Sequence, residues 1–349
     1  VSRERHGIPV SQAPEYGYDF DDPDDLHFFW EMGAYTQPEI VSLSMSMVEE
    51  WGCWDQPFFK DIRSLRRPVR RLNRFGLLRP LARYPWMKGH MTLLGEVHKI
   101  TLKTPDYALS TAQCYRPGTL GNQHHIWQAT LSPDAVVFVC HPGTLEDTKG
   151  TFYWGGQCRL PKACQVGPVH LSIYRIGRMA AIGEKDLFAF THAYFPEWAF
   201  DEVVEEDEWI FGREGEGYVA LTCSRPMERT ETGREAGHEI VARGREAVWV
   251  CHCGRAVDDG TFEAFRRTVL TSDIRFGQDW VRYDAAGVGE ITFSWQGPLT
   301  VNGEEVSLDD TPRFDSPYCY APFGSKVYEI HVDESRLLLD FEALERSAL

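Results

Sequence analysis

The sequence predicts a mainly β protein, a large antiparallel β-sandwich preceded by a short α-helical segment. Three observations carry this expectation. From about Met91 onward, short runs rich in β-branched and aromatic residues follow one another closely, separated by Pro, Gly, Asp or Asn. One helical pattern interrupts them, which fits packed antiparallel sheets better than alternating βαβ units. Aromatic residues make up 13% of the 349-residue chain, with 11 Trp, and rings suit a pleated surface. No internal repeat is visible, which disfavours a propeller.

The first ninety residues differ in kind, so the expected organisation is a helical segment over 1–89 and the sandwich over 90–349. Residues 1–25 are polar and end in Asp21, Asp22, Asp24 and Asp25. Leu26–Gly33 reads as one or two helical turns. Thr36 and Glu39 have capping-box spacing, and Ile40, Leu43, Met47, Val48 and Trp51 share a helical face, with Gly52 as the stop. Residues 60–90 hold ten Lys or Arg against one acid, Asp61. Arg63, Arg67, Arg70 and Arg74 align on one helical face, while Pro68, Pro80 and Pro85 restrict helices to short pieces. A solvated face or intramolecular dock, an anionic-substrate surface and a nucleic-acid surface compete for this island, in that order.

The expected strands are Thr92–Lys103, Tyr107–Tyr115, Gln123–Leu131, Ala135–His141, Val169–Ile176, Leu187–Tyr194, Tyr218–Thr222 and Ala247–Cys253. Beyond a helix at Phe262–Leu270, started near Asp259 or Thr261, come Ser272–Phe276, Trp280–Asp284, Gly289–Trp295, Leu299–Val301 and Val327–His331.

The net charge of −16 argues against general nucleic-acid binding. No apolar run is long enough for a transmembrane helix, so no membrane association is expected. No basic-then-apolar leader is visible, and the opening Val suggests a processed or trimmed start. Nine Cys are scattered without a secreted-scaffold spacing. Cys140, Cys223 and Cys251 fall inside apolar runs, so reduced thiols and a cytoplasmic setting are expected. Cys251-His252-Cys253 resembles a ligand group, but strand alternation sets His252 opposite the two thiols, and no second Cys pair stands at finger spacing. No metal and no cofactor are expected. No phosphate loop, dinucleotide fingerprint or nucleophile elbow appears.

The richest stretch is YALSTAQCYRPGTLGNQHHIWQATLSPDAVVFVCHPG, residues 107–143. A strand over Gln123–Leu131 places Gln123, His125 and Trp127 on one face, with the two polar residues at its beginning. A hairpin would bring Tyr115 and Arg116 close. Tyr, His, Arg and Gln gathered there could bind a carboxylate and move a proton, although an ordinary strand-end hydrogen-bonding cluster reads equally from the same residues. A second group is His192 and Tyr194, alternating onto one face. A third is Tyr153 and Trp154 in FYWGG, beside glycines that allow close backbone approach.

The stretches FFWEMGAYTQPEI, WDQPFFKDI, YALSTAQCYRPG, QHHIWQATL, AVVFVCHPG, YWGG and FTHAYFPEWAFDE together resemble heparinase II/III-type bacterial polysaccharide lyases. In that superfamily an α/α toroid precedes an antiparallel β-sandwich, with substrate in the cleft between them. The resemblance covers nearly the whole chain, as the last toroid helices plus the sandwich. It concerns overall pattern and not a catalytic signature. It implies a C-terminal fragment of such a protein, partnered in cis by a missing toroid and acting on an anionic oligo- or polysaccharide. Its chemistry would be abstraction of the proton alpha to a uronate carboxylate. By residue type, Tyr115, His124, His125, His192 and Tyr194 are candidates for proton transfer. Gln123, Arg116, Trp127, Tyr153 and Trp154 are candidates for binding substrate.

Two other functions remain open. A glycoside hydrolase needs two carboxylates across a sugar, and Asp201, Glu202, Glu205 and Glu206 offer them, though such a run is commonly a solvated face. A non-catalytic sandwich would bind glycan through aromatic faces or support a toroid.

Overall fold

The computed structural model describes residues 46–55, 66–77, 80, 96–119, 121, 124–143, 145, 153–177 and 187–348. The chain divides into two compact units, Val1–Glu96 and Val97–Leu349.

In the first unit, residues 46–51 are helical and Gly52 ends the helix with φ +69°, a left-handed conformation that glycine adopts without Cβ strain. Val48 is buried, as the apolar periodicity requires, but Trp51 is exposed and Trp54 is the buried indole instead. The helix Arg66–Arg74 accommodates Pro68 in its first turn, where no intrahelical N–H bond is lost. Its Arg66 and Arg70, one turn apart, both approach Glu49, which also accepts a hydrogen bond from Trp54 Nε1 at 2.8 Å. Part of the basic island therefore satisfies an acid of its own unit. Leu26–Gly33, the Thr36 capping box and Arg63 lie outside the described residues.

The second unit is mainly β and entirely antiparallel in its pairings. Its strands run β1 (His98–Lys103), β2 (Ala108–Gln113), β3 (Trp127–Thr130), β4 (Val136–Cys140), β5 (Lys162–Val166), β6 (Val169–Arg175), β7 (Phe190–Tyr194) and β8 (Glu202–Glu206). These are followed by β9 (Trp209–Glu214), β10 (Gly217–Cys223), β11 (Met227–Arg229), β12 (Glu239–Arg243) and β13 (Glu246–Arg255). A seven-stranded sheet has the order β1-β2-β3-β4-β7-β12-β11, and a six-stranded sheet the order β5-β6-β13-β10-β9-β8. The two share one apolar core. Leu109, Trp127, Val137, Val139, Ala193 and Ile240 from the first meet Tyr174, Val219, Leu221 and Trp249 from the second.

The six-stranded sheet is covered on its other face as well. Leu171, Phe211, Tyr218, Ala220, Val248 and Val250 pack against Phe262, Phe265 and Val269 of the helix Phe262–Thr271 and against a third sheet. Those three helical positions recur at i, i+3 and i+7, one apolar stripe. Thr261 caps the helix, accepting from Ala264 N at 3.2 Å. The third sheet is a meander of β14 (Ile274–Phe276), β15 (Trp280–Ala285), β16 (Gly289–Ser294), β17 (Leu299–Val301) and β18 (Glu304–Val306). Burial on both faces explains why β10 and β13 read as unbroken apolar runs and not as alternation. His252 points away from Cys251 and Cys253, as alternation requires, and its Nδ1 lies 2.8 Å from the Tyr283 hydroxyl. Among the described residues, no group of three or more His, Cys, Asp or Glu is arranged to hold a metal ion, and no helix is long and apolar enough to cross a membrane.

The chain ends in a hairpin, β19 (Phe314–Ser316) with β20 (Cys319–Ala321), and a three-stranded sheet of β21 (Val327–Val332), β22 (Ser335–Asp340) and β23 (Glu345–Ala348).

Candidate functional site

The seven-stranded sheet has one face in the core and one face turned outward, and alternation decides which residues go where. On β4, Val137 and Val139 go inward and Phe138 outward. On β7, Thr191 and Ala193 go inward, while Phe190, His192 and Tyr194 go outward. On β12, Ile240 and Ala242 go inward, and Glu239 outward. The register sets Tyr194 beside Phe138 on one side and Glu239 on the other. Residues separated by more than forty positions are thereby gathered on one surface.

The segment carrying Tyr153 and Trp154 covers part of that surface. Trp154 stacks on His192 with ring centroids 4.0 Å apart, and Tyr153 meets the same imidazole edge-on at 4.5 Å. His192 is fully buried beneath them. Its Nε2 donates to the Tyr153 carbonyl at 2.9 Å, and its Nδ1 lies 2.8 Å from Glu239 Oε1. Glu239 also accepts from the Tyr153 hydroxyl and the Thr230 hydroxyl, both at 2.5 Å. Burial raises the Glu239 carboxyl, but the donors from His192, Thr230 and Tyr153 outweigh it and hold the group below its usual value. Burial pulls His192 the other way for a base, below the ordinary imidazole value, with Glu239 returning part of the shift. Two acceptors face the two ring nitrogens, an arrangement that a doubly protonated ring would satisfy and that burial opposes. The Tyr153 phenol is raised by burial and by its bond to Glu239. A second acid, Glu235, accepts from Trp154 Nε1 at 2.7 Å and lies 2.8 Å from His238 Nε2.

Around this anchored core stand groups with free faces. Phe138 stacks on Tyr194 at 5.2 Å and meets His125 edge-on at 4.8 Å. His125 is exposed at its outer edge, hydrogen-bonds to the Trp154 backbone, and is lowered below the usual imidazole value by partial burial. The Tyr194 phenol is raised, chiefly by burial. His125 is therefore a neutral base at neutral pH, and Tyr194 a protonated acid, both packed on one Phe ring.

A neighbouring loop holds a second group. Tyr115 and His124 meet edge-to-face at 5.4 Å, and the Arg116 guanidinium lies 5.9 Å from the Tyr115 ring centre. Burial and the Arg116 charge both lower His124. Cys114 and Arg116 have positive φ, 45° and 47°, a strained conformation for residues with a Cβ. It is held by Cys114 N donating to Ala163 O and Thr119 Oγ1 donating to Arg116 O, each at 2.8 Å. This loop runs beside the Trp154 segment through the bond from Gly121 N to Gln157 O, 2.8 Å.

Three expectations need correction. The strand over Gln123–Leu131 is shorter, Trp127–Thr130, so its alternation does not extend to His125. Trp127 faces the core, 2% exposed and stacked on His170 at 4.3 Å. It is a packing residue and not a substrate contact. His192, with both nitrogens committed under Trp154, positions its neighbours and does not meet a ligand. Gln123 lies outside the described residues. The acids offered for hydrolysis are ion-paired at the surface: Asp201 and Glu202 with Arg213, Glu205 with Arg229, and Glu206 with Arg266.

Glu239, Glu235, His238 and Thr230 were not singled out by the sequence. Part of the signal for Glu239 was present, since Glu-Ile-Val-Ala-Arg is a short apolar run closed by charges, and its first four residues are buried. What it lacked was any local sign of its partner, because β12 pairs with a strand more than forty residues away.

The chain matches no protein-family model, no curated protein and no solved structure.

Proposed function

We propose that the outward face of the seven-stranded sheet binds an acidic oligo- or polysaccharide, and that the protein cleaves it by β-elimination beside a uronate. The observation that carries the reading is the neutral His125 imidazole and the protonated Tyr194 phenol packed on the same Phe138 ring. In this reading His125 takes the proton alpha to the uronate carboxylate. The released electron pair forms the ring double bond, the bond to the leaving oxygen breaks, and Tyr194 protonates that oxygen. Arg116 supplies positive charge for the carboxylate, with Tyr115 and His124 beside it. Trp154 and Tyr153 offer ring faces for sugar stacking, and the His192–Glu239 pair fixes their geometry. The helical residues of 1–89 belong, on the resemblance to heparinase II/III-type lyases, to the end of an α/α toroid. No disulfide joins the cysteines from Cys114 to Cys319, in keeping with a reducing, cytoplasmic setting.

The test is to incubate the protein with alginate, polygalacturonate, hyaluronan and heparin and to follow ultraviolet absorbance. Elimination leaves an absorbing double bond. New reducing ends without absorbance would mean hydrolysis, and binding without turnover would mean a non-catalytic glycan surface. Either result overturns the lyase assignment.

A further inference from the structure

A second ligand surface lies far along the chain from the His125 face, in the terminal hairpin and three-stranded sheet. Tyr328 of β21 is flanked by two phenylalanines, Phe314 of β19 and Phe341 just after β22. Each meets it edge-to-face at 5.4 Å. These rings, with Ile330 and Leu339, line an open cavity of about 570 Å³, within the range that holds small ligands. Phe314 and Phe341 stay 51% and 57% exposed, so the rings form a wall facing solvent and not a closed core. Such a patch on a small sheet marks a contact surface.

Charge narrows its occupant. The residues lining the cavity include Arg313 and Lys326 and no acid, in a chain of net charge −16. Lys326 shares its charge with Glu342 at 3.4 Å. Arg313 lies over the Phe323 ring at 5.6 Å and makes no ion pair with a carboxylate among the described residues. Its guanidinium therefore keeps a fork of donors for a planar anion. A ligand with a flat C–H face for the rings and a carboxylate for Arg313 fits this lining, and on the acidic-glycan reading that ligand is a uronate sugar.

We propose that this cavity is an ancillary subsite for a uronic-acid unit, holding acidic glycan at a distance from the face that cleaves it. The identity of the sugar rests on the acidic-glycan reading above, whereas the existence of the subsite can be tested without turnover.

The experiment is calorimetric titration of the full chain and of its Arg313→Ala and Phe314→Ala variants with hexasaccharides of alginate and of heparin. Both side chains are at the surface, and unchanged circular dichroism and melting temperature would verify the fold. Each variant should weaken binding of at least one hexasaccharide by roughly tenfold, while kcat on that sugar is retained and KM rises. Unchanged affinity in both variants overturns the subsite, as does failure of the unaltered chain to bind either hexasaccharide. Equal binding of neutral maltohexaose also overturns it. So would a concentration-dependent dimer abolished by Phe314→Ala, which would make the patch a self-association surface. Binding that depends on Arg313 in a chain that cleaves nothing would support the subsite while removing the lyase assignment.

Discussion

The six-stranded and seven-stranded sheets are built by the same alternation, yet they treat their polar residues in opposite ways. The six-stranded sheet is buried on both faces, so each polar side chain it carries must find its partner inside the protein or stay unpaired. His252 finds Tyr283, and His170 Nδ1 finds Thr111 Oγ1 at 2.8 Å. The seven-stranded sheet buries one face only. Its outward histidines and tyrosines form a graded series, from His192 locked under Trp154 to His125 open to solvent. A buried histidine in the first sheet is a cost to stability that packing offsets, whereas on the second sheet's outward face His192 is buried and His125 is exposed. Burial, and not residue type, separates the two roles.

The largest expected effect belongs to the shared core. Trp249 of β13 is fully buried and donates from Nε1 to Thr191 Oγ1 at 2.8 Å, which ties the two sheets together. Trp249→Ala should destabilise the fold by about 3–5 kcal/mol, read as a lowered midpoint in urea unfolding. A loss below about 1 kcal/mol would mean that the two sheets do not depend on this contact.

Acid comes next. Burial lowers His252 from the ordinary value to about 4, and holds His170 well below that ordinary value too. Both rings are neutral in the fold and bind protons more readily in the unfolded chain. Stability is therefore full above the unfolded value near 6.5 and falls as pH drops from there. The His252 share of the loss is complete near pH 4, at about 3 kcal/mol. His252→Asn should flatten that part of the stability profile. Unfolding free energies that stay level from pH 7 to 4 would contradict the assignment of these rings as neutral.

A smaller effect is expected at Glu239, where the seven-stranded sheet comes nearest to behaving like the buried one. Glu239→Gln removes the carboxylate that receives His192, Tyr153 and Thr230, and should cost about 2 kcal/mol. It should also raise KM more than a surface change does, because Tyr153 and Trp154 lose their anchor. An unaltered melting temperature would show that the pair does not hold the surface.

Much of this contrast was legible in the chain. Thirteen expected strands overlap observed ones, and the helix after Thr261 stands where its cap and apolar spacing put it, because those signals are local. Ten of the 23 strands observed among the described residues were not expected, and for β8 and β23 the reason is physical. Glu-Val-Val-Glu-Glu and Glu-Arg-Ser-Ala are edge strands whose charges guard against further pairing, so they lack the apolar pattern of a core strand. The candidate face was half legible. His125, Tyr153, Trp154, His192 and Tyr194 could be singled out by type. That the first is open and the fourth locked depends on a segment folding over β7, which no short-range pattern encodes.

His125 should be nearly silent in stability, within about 0.5 kcal/mol as for other exposed positions, and decisive in function. Tyr194→Phe should behave similarly, with a loss of at least roughly a hundredfold in kcat if it supplies the proton. The most direct test is the rate of ultraviolet-absorbing product from acidic polysaccharide, compared between the unaltered chain and His125→Ala at matched melting temperature. The account predicts product from the unaltered chain and none above background from the variant. Equal rates, or no product from either, would contradict the assignment of this face as the site of cleavage.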